Sequence, residues 1–474
     1  MKKIGSLLYI IVALAVCMIP SVGMIFRPTT ETTENKEMAQ WPSVTEEDGS
    51  FNENYMEDAG EYFEDHFAFR PELVSADARI RGEIFGVSAS DQVIVGTDGW
   101  LYYEATSNDY LRLSQISDRA VYNIAHNVAL MQQYVESQGK QFLFTITPNK
   151  NSLYGQYMPW YYQPTSQASN AERLKPYLEQ EGVHYLDLFE LFGSQDEILY
   201  LKRDSHWNNQ GALLAYNAMM DQVGQAHDTY ENAEYQIDSG YIGDLNSMLY
   251  PVGAVPEENQ VYEITENYAY VTETTSVEDS WIQTINPSAQ GSLLMYRDSF
   301  GNTLLPLVSN AWENVWYSKY SPYSVQLDLE ACQPDTVIVE RVERQITALG
   351  QNPPYMEGPE ASLRDTEQVM DTDTTVGVED AGAYYGVGGI LDDSVVSEDC
   401  RIYIRYRDAL GEGKTFEAFP VTRIEGSRAS DFGYQGYIRK TSVEDQPFTI
   451  EILVEDQGKI MKVKDFSMEF ETQE

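Results

Sequence analysis

From Ser117 onward the apolar residues Val121, Ile124, Val128, Met131 and Val135 recur three to four positions apart until Gly139. That spacing places one apolar stripe along a helix and ends it at a residue suited to a C-cap. Phe142 to Ile146 follows as a short continuous apolar run, which predicts a buried strand ending in the loop Thr147-Pro148-Asn149-Lys150-Asn151. The rhythm then repeats. Val183 to Leu188 predicts a further strand, and Ala212, Leu213, Tyr216, Met219, Met220 and Val223 predict an amphipathic helix. Ser292 to Tyr296, Asn314 to Ser318 and Thr336 to Glu340 predict three more strands, with a helix opening over Asn302 to Val308. Strands alternating with helices predict an α/β fold, a doubly wound parallel sheet with helices on both faces and its ligand crevice at the carboxyl ends of the strands.

Elsewhere the pattern changes. Val93-Ile94-Val95, the Asp98-Gly99 turn and Trp100 to Tyr103 predict a hairpin. Residues 228–285, rich in Tyr, Gly and Asn, break the α/β rhythm and predict an insertion over the crevice, with Gly243-Asp244-Leu245 inside it. Residues 351–382 turn Pro-, Thr-, Asp- and Gly-rich, as a linker does. Beyond them Arg401 to Arg407, Phe416 to Ile424, Tyr434 to Arg439, Phe448 to Val454 and Lys459 to Phe470 alternate as short strands, so residues 383–474 predict a small β-sandwich-like module.

At the other end, Lys2 and Lys3 precede an uncharged run from Ile4 to Phe26, long enough to cross a bilayer as a helix. Residues 1–26 therefore read as a membrane anchor or a signal peptide. With no A-x-A pattern at its end the anchor is favoured, its N-terminus in the cytoplasm and the folded domains outside. Leu14-Ala15-Val16-Cys17 has too bulky a residue before the cysteine for a lipid-anchor box. Residues 27–50, without apolar periodicity, read as a stalk, and the α/β domain as 51–350.

Charge narrows the partners. With 31 Lys+Arg against 75 Asp+Glu the formal net charge is -44, which repels nucleic acid and anionic membrane surfaces and favours a neutral or cationic partner. A 42% hydrophobic content nonetheless demands a folded core. Only Cys17, Cys332 and Cys400 are present, which excludes a disulfide scaffold and a cysteine-rich zinc site; Cys332 and Cys400 read as two buried thiols rather than a pair. His126, His184 and His227 lack ligand spacing, and there is no phosphate loop or dinucleotide fingerprint, so neither metal nor cofactor is expected. His66, between Phe63, Phe67 and Phe69, has no catalytic partner nearby and reads as a helix-end packing residue.

The remaining chemistry lies in two stretches. Asp204-Ser205-His206-Trp207 sets a carboxylate two residues from an imidazole, close enough in an extended or turning segment for Asp204 to orient His206. Ser299, in Tyr296-Arg297-Asp298-Ser299-Phe300-Gly301, follows an apolar strand and precedes a helix, the corner where α/β enzymes display a nucleophile. Alone, each stretch reads sooner as a helix cap than as chemistry. Together they supply nucleophile, base and orienting acid, with the backbone N–H of Ser299 a candidate oxyanion donor. Asn149 on the same rim is a further oxyanion candidate, Lys150 a candidate for a substrate hydroxyl or carboxylate, and Arg341 and Arg344 after the fifth strand either reach the crevice or, as the favoured reading, pair with Glu340 and Glu343.

Gly99-Trp100-Leu101-Tyr102, the loop from Pro148 to Tyr154, Asp204-Ser205-His206-Trp207-Asn208 and Asp298-Ser299-Phe300-Gly301 resemble the alginate O-acetylation proteins of the SGNH-hydrolase-like class and their relatives, the DHHW proteins. Glu64-Asp65-His66-Phe67 to Arg70 resembles the N-terminal segment of the latter. The resemblance covers about residues 35–350. It implies a flavodoxin-like SGNH fold with Ser299 as nucleophile, His206 as base and Asp204 as orienter. It also implies transfer of acetyl groups onto an extracellular polysaccharide, supplied by a membrane-bound acyltransferase partner. Ser205 stands where the DHHW pattern has its first histidine, and Arg297 where hydrolases of this class have glycine. The C-terminal module is similar in position to the carbohydrate-binding module of one alginate protein, with no motif carrying the similarity. An esterase of the same fold needs the same triad, and a non-catalytic glycan-binding scaffold is the alternative from another class.

Overall fold

The computed structural model describes residues 2–30, 37–46, 49–363, 368–408, 411, 413–425, 428–443 and 447–468. A hairpin of β1 (Val93–Val95) and β2 (Leu101–Tyr103) precedes the central sheet. That sheet is built from β3 (Gln141–Thr147) and β4 (Tyr185–Leu186). After a two-stranded excursion, β5 (Tyr235–Tyr241) with β6 (Glu257–Tyr262), come β7 (Ala269–Tyr270), β8 (Trp281–Ile285), β9 (Ser292–Tyr296), β10 (Asn314–Ser318) and β11 (Thr336–Val342). The order is β4-β3-β11-β9-β10-β8-β7. β4, β3, β11, β9 and β10 run parallel, as the alternation of strand and helix requires, and β8 and β7 add an antiparallel edge. The 228–285 segment thus starts as an insertion but ends inside the sheet, because Trp281–Ile285 alternates half-buried and buried positions against β10.

Two apolar layers cover the sheet. On one face Val121, Ile124, Val128 and Val135 of the helix Asp118–Ser137 pack with Leu174 and Leu178 on Phe142, Phe144, Leu294 and Val337. On the other, Ala212, Tyr216, Met219 and Met220 of the helix Asn209–Val223 pack with Leu304 and Val308 of the helix Gly301–Ala311 on Leu143, Leu293, Met295 and Ile338. Neighbouring residues of one strand therefore belong to opposite layers, the period-two signature of a sheet covered on both sides.

The C-terminal region forms a five-stranded and a four-stranded sheet that share a core of Val387, Ile402, Ile404, Ile438, Ile450 and Ile452. Gln368–Val369 and Gly377–Ala381 already pair in these sheets, so the turn-rich stretch before residue 383 is partly built into them. The region is docked on the helix Asp118–Ser137: Arg119 Nη1 donates to the carbonyls of Glu398 and Cys400, and Asn127 Nδ2 donates to that of Pro420. His126 bridges Glu181 at 2.8 Å and Glu417 at 3.0 Å. Cys332 and Cys400 are both free thiols.

The first helix spans Lys2–Gly23, with Leu7, Ile10, Ile11, Val12, Leu14, Val16, Met18 and Ile19 exposed. Among the described residues no helix is long and apolar enough to cross a membrane, so the transmembrane part of the expectation is not carried by the structure. The side chains of residues 2–6, Leu8 and Cys17 lie outside the described set. The helix end is fastened to the domain, since Pro20 O accepts from Ala68 N and Thr29 N donates to His66 O.

Candidate active site

Two loops at the carboxyl ends of the strands converge. The first leads into the helix Asn209–Val223. Its cap is Asn208, whose side chain accepts from Gly211 N, so Asp204 is not spent on capping. Instead Asp204 Oδ1 takes the backbone N–H of His206 at 2.9 Å and the ring Nδ1 at 2.7 Å, a turn closed on itself by one carboxylate. Its other oxygen accepts from Tyr241 Oη and from the N–H of Asp244, each at 3.0 Å.

The second loop leaves β9. Asp298 stands under the corner: its Oδ1 accepts from Phe300 N at 3.0 Å and its Oδ2 from Val342 N at 2.7 Å. Its own N–H donates to buried Glu340 at 3.1 Å. These bonds hold Ser299 at the helix entrance, where His206 Nε2 meets Ser299 Oγ at 2.8 Å. Phe300 faces inward and packs on His206, Trp207 and Tyr200, with ring centroids 4.7, 5.1 and 6.1 Å apart. Trp207 thus braces the histidine through Phe300. At Gly301 an added Cβ would lie 2.7 Å from Arg297 Cδ, so only glycine lets the buried arginine stem pass. Arg297 Nη2 in turn donates to Val277 O at 2.7 Å and ties the inserted segment to the nucleophile corner.

The charges fit proton transfer from serine to imidazole. Burial raises the Asp204 carboxyl, but the hydrogen bond and charge of His206 outweigh this and hold it well below the usual carboxylate range. For His206, burial works against the cation, yet Asp204 and the charge of Asp244 prevail and raise it above an ordinary histidine, with Arg344 opposing them. Deeper, burial pushes the Glu340 carboxyl up to about 8, aided by Asp298. The cleft over Ser299 holds about 750 Å³, and Tyr103, Ser205, Asp244, Arg344 and Gln345 are among its walls.

The other rim residues take different places. Lys150 is buried; its Nζ donates to the carbonyls of Leu201 and Lys202 at 3.1 and 3.0 Å and of Asp204 at 2.5 Å. It supports the Asp204 loop from below and does not line the cleft. Burial pushes it down to about 8, against the raising effect of Asp204, Asp244 and Glu257. Asn149 is buried, its N–H donated to Glu343; its side-chain amide has no hydrogen-bond partner among the described residues and does not line the cleft. Arg341 is a buried residue of β11, likewise outside the cleft walls. Arg344, three residues on, is the arginine in the cleft, with its guanidinium carbon 5.5 Å from the Tyr103 ring centre and 5.9 Å from that of Phe300. Both arginines were visible at the end of the fifth predicted strand; the alternation of β11 and the turn after it decide which one reaches out. Asp244 was visible only as part of the insertion. Asp204, His206 and Asp244 bring ligand atoms within 4.8 Å of one another. Their facing atoms are already engaged in hydrogen bonds, so the grouping is not assigned as a metal centre.

A serine, histidine and aspartate stand in hydrogen-bonded series at the carboxyl edge of a parallel α/β sheet, an arrangement that meets the geometric demands of serine acyl transfer. Residues 93–292, somewhat less than half the chain, match the family model described as the SGNH hydrolase-like domain of acetyltransferase AlgX. The resemblance read from the motifs therefore holds, and an SGNH-like α/β domain carries Asp204 and His206; Ser299 lies just beyond the matched segment.

Among solved structures, PatB1 from Bacillus cereus is 17% identical, with a TM-score of 0.44 over 54% of this chain and 97% of that one. A DHHW family protein from Eubacterium siraeum is 15% identical, with a TM-score of 0.42 over 54% of this chain and 93% of that one. The O-acetyltransferase domain of Pseudomonas putida AlgJ is 18% identical, with a TM-score of 0.37 over 54% of this chain and 92% of that one. These likenesses are too remote to assign a role to any residue. No curated protein matches the sequence.

Proposed function

We propose that the chain is an O-acetyltransferase that moves acetyl groups onto sugar hydroxyls of a cell-wall or secreted polysaccharide. The observation that carries this reading is the unbroken series Asp204 Oδ1, His206 Nδ1, His206 Nε2, Ser299 Oγ with links of 2.7 and 2.8 Å, open to a cleft. Ser299 Oγ attacks the acetyl carbonyl while its proton passes to His206 Nε2; the imidazolium is stabilised by Asp204. Collapse of the tetrahedral adduct breaks the bond to the donor's leaving oxygen, which takes the proton from His206. An acetyl ester on Ser299 remains. The acceptor hydroxyl then attacks the acetyl carbonyl, giving its proton to His206; the bond to Ser299 Oγ breaks, Oγ takes that proton back from His206, and the acetylated acceptor leaves. The guanidinium of Arg344, which lies at the cleft wall over the faces of Tyr103 and Phe300, is a cation available to the acetyl oxygen.

An extracytoplasmic site, where a membrane-bound acyltransferase would deliver the acetyl group, belongs to this proposal on the strength of the uncharged run from Ile4 to Phe26 behind Lys2 and Lys3, not of a membrane-spanning helix in the structure. The experiment is to incubate the protein with a chromogenic acetyl ester, with and without an oligosaccharide acceptor, beside Ser299→Ala. Acetylated sugar, detected by mass spectrometry and absent with Ser299→Ala, supports transfer. Acetate alone assigns an esterase, and equal rates for both proteins sink the enzymatic reading.

A further inference from the structure

The inserted segment does more than cover the cleft. At Gly243 an added Cβ would lie 2.3 Å from Arg203 O and 2.8 Å from Asp204 N, so the chain there presses directly on the Asp204 backbone. That approach lets Asp244 N donate to Asp204 Oδ2 at 3.0 Å. The Asp244 carboxylate turns back to the same loop, taking Ser205 N at 2.7 Å on Oδ1 and Ser205 Oγ at 2.5 Å on Oδ2. Ser205 Oγ is itself 3.2 Å from His206 Nδ1, and Asp244 Oδ2 is 3.7 Å from that nitrogen. Asp244 therefore holds Asp204 through its N–H and Ser205, the residue between Asp204 and His206, through its carboxylate, and sets a second negative charge beside the ring.

We propose that Asp244 is a positioning residue of the site, a second carboxylate that holds the Asp204 loop through Ser205 and shares with Asp204 the stabilisation of the His206 imidazolium. The kinetic part of this rests on the acyl-transfer reading; the electrostatic part does not. Of the two carboxylates, only that of Asp204 is within hydrogen-bonding distance of Nδ1, at 2.7 Å against 3.7 Å for Asp244. Asp244 acts through charge and through the serine, as Asp204 itself is held by Tyr241 and by its carbonyl's bond to Lys150. Facing the imidazole are Asp204, Asp244, Ser205, Ser299 and the Phe300 ring, with Arg344 the opposing charge. The serine at position 205 gains a meaning from this: its hydroxyl is the bridge between the second carboxylate and the histidine.

Asp244→Asn keeps the shape and the acceptor for Ser205 N while removing the charge. The test is NMR titration of the His206 ring in the intact protein, with the pH profile of acetyl ester turnover beside it. The expected result is a His206 pKa lowered by about one unit, a tenfold loss of proton affinity, with the acid limb of turnover moving by the same amount. In the wild-type protein the Asp244 carboxyl carbon is expected to show an inflection at the pH where His206 titrates, a reading that needs no variant to fold. An unchanged His206 in folded Asp244→Asn, or no such inflection in the wild type, overturns the proposal. A lowered His206 pKa in a protein that turns over no acetyl ester leaves Asp244 as assigned and sinks the acyl-transfer reading instead.

Discussion

His206 and Ser299, 93 residues apart in sequence, meet at 2.8 Å between Nε2 and Oγ, and the far side of the same ring meets Asp204 Oδ1 at 2.7 Å. One imidazole therefore joins a loop before one helix to a loop before another. Asp204→Asn leaves the shape but favours the wrong tautomer, so ester turnover is expected to fall by on the order of 10⁴-fold with the fold intact. Steady-state rates with a circular dichroism control check this.

The base works only when neutral. His206 is raised above the ordinary histidine value, so kcat/KM is expected to climb as pH rises through that raised value and to be lost below about 6.5. Stability runs the other way. A raised histidine stabilises the folded chain fully below its unfolded pKa, and that contribution disappears as pH rises through the folded one. A pH–rate profile next to a melting-temperature profile is predicted to show the activity limb and the stability loss at the same pH.

Lys150 holds three carbonyls of the 201–204 segment. Lys150→Met fits the space but strands those acceptors, each costing about 1–3 kcal/mol if it finds no water. Thermal melting is expected to fall by several degrees and turnover to drop with it, since Asp204 loses its floor. If Lys150 instead bound substrate, KM would rise with the melting temperature unchanged.

The C-terminal sheets lean on His126, whose two ring nitrogens each face a carboxylate, Glu181 and Glu417. Burial lowers this histidine, but the bonds from Glu181 and then Glu417 outweigh it and the net shift is upward. The neutral ring has one N–H and cannot serve both carboxylates, so the clamp is strongest below the unfolded histidine value and weakens as pH rises through the folded one. Glu181, raised by burial but more strongly lowered by His126, sets the acid limit, losing its contribution as pH falls through its depressed value. His126→Gln is expected to flatten the rise in melting temperature between those limits, measured by calorimetry across pH.

Much of this architecture was legible because period and length agree. Phe142 to Ile146, Ser292 to Tyr296 and Thr336 to Glu340 are all strands of the central sheet, and the five apolar positions of Val121 to Val135 face it as one stripe. Asp204, His206 and Ser299 could be singled out because each sits at a predicted strand-to-helix or loop-to-helix corner. What sequence did not disclose depends on tertiary direction. The helix Asn170–Gln180 went unread although Ser169 and Glu172 form a capping box, since Pro176 interrupts its pattern. Lys150 looked like a rim cation because nothing local reveals that it turns inward to backbone carbonyls. Asp244 acquires its role only when Gly243 brings the insertion against Asp204.

The central claim is that Ser299 carries the acetyl group. Acid-quenched protein mixed briefly with an acetyl ester, digested and read by mass spectrometry, is predicted to show one added acetyl group on the peptide containing Ser299, absent from Ser299→Ala. Ester turnover with no acetylated Ser299, or with the label on another residue, would contradict the account.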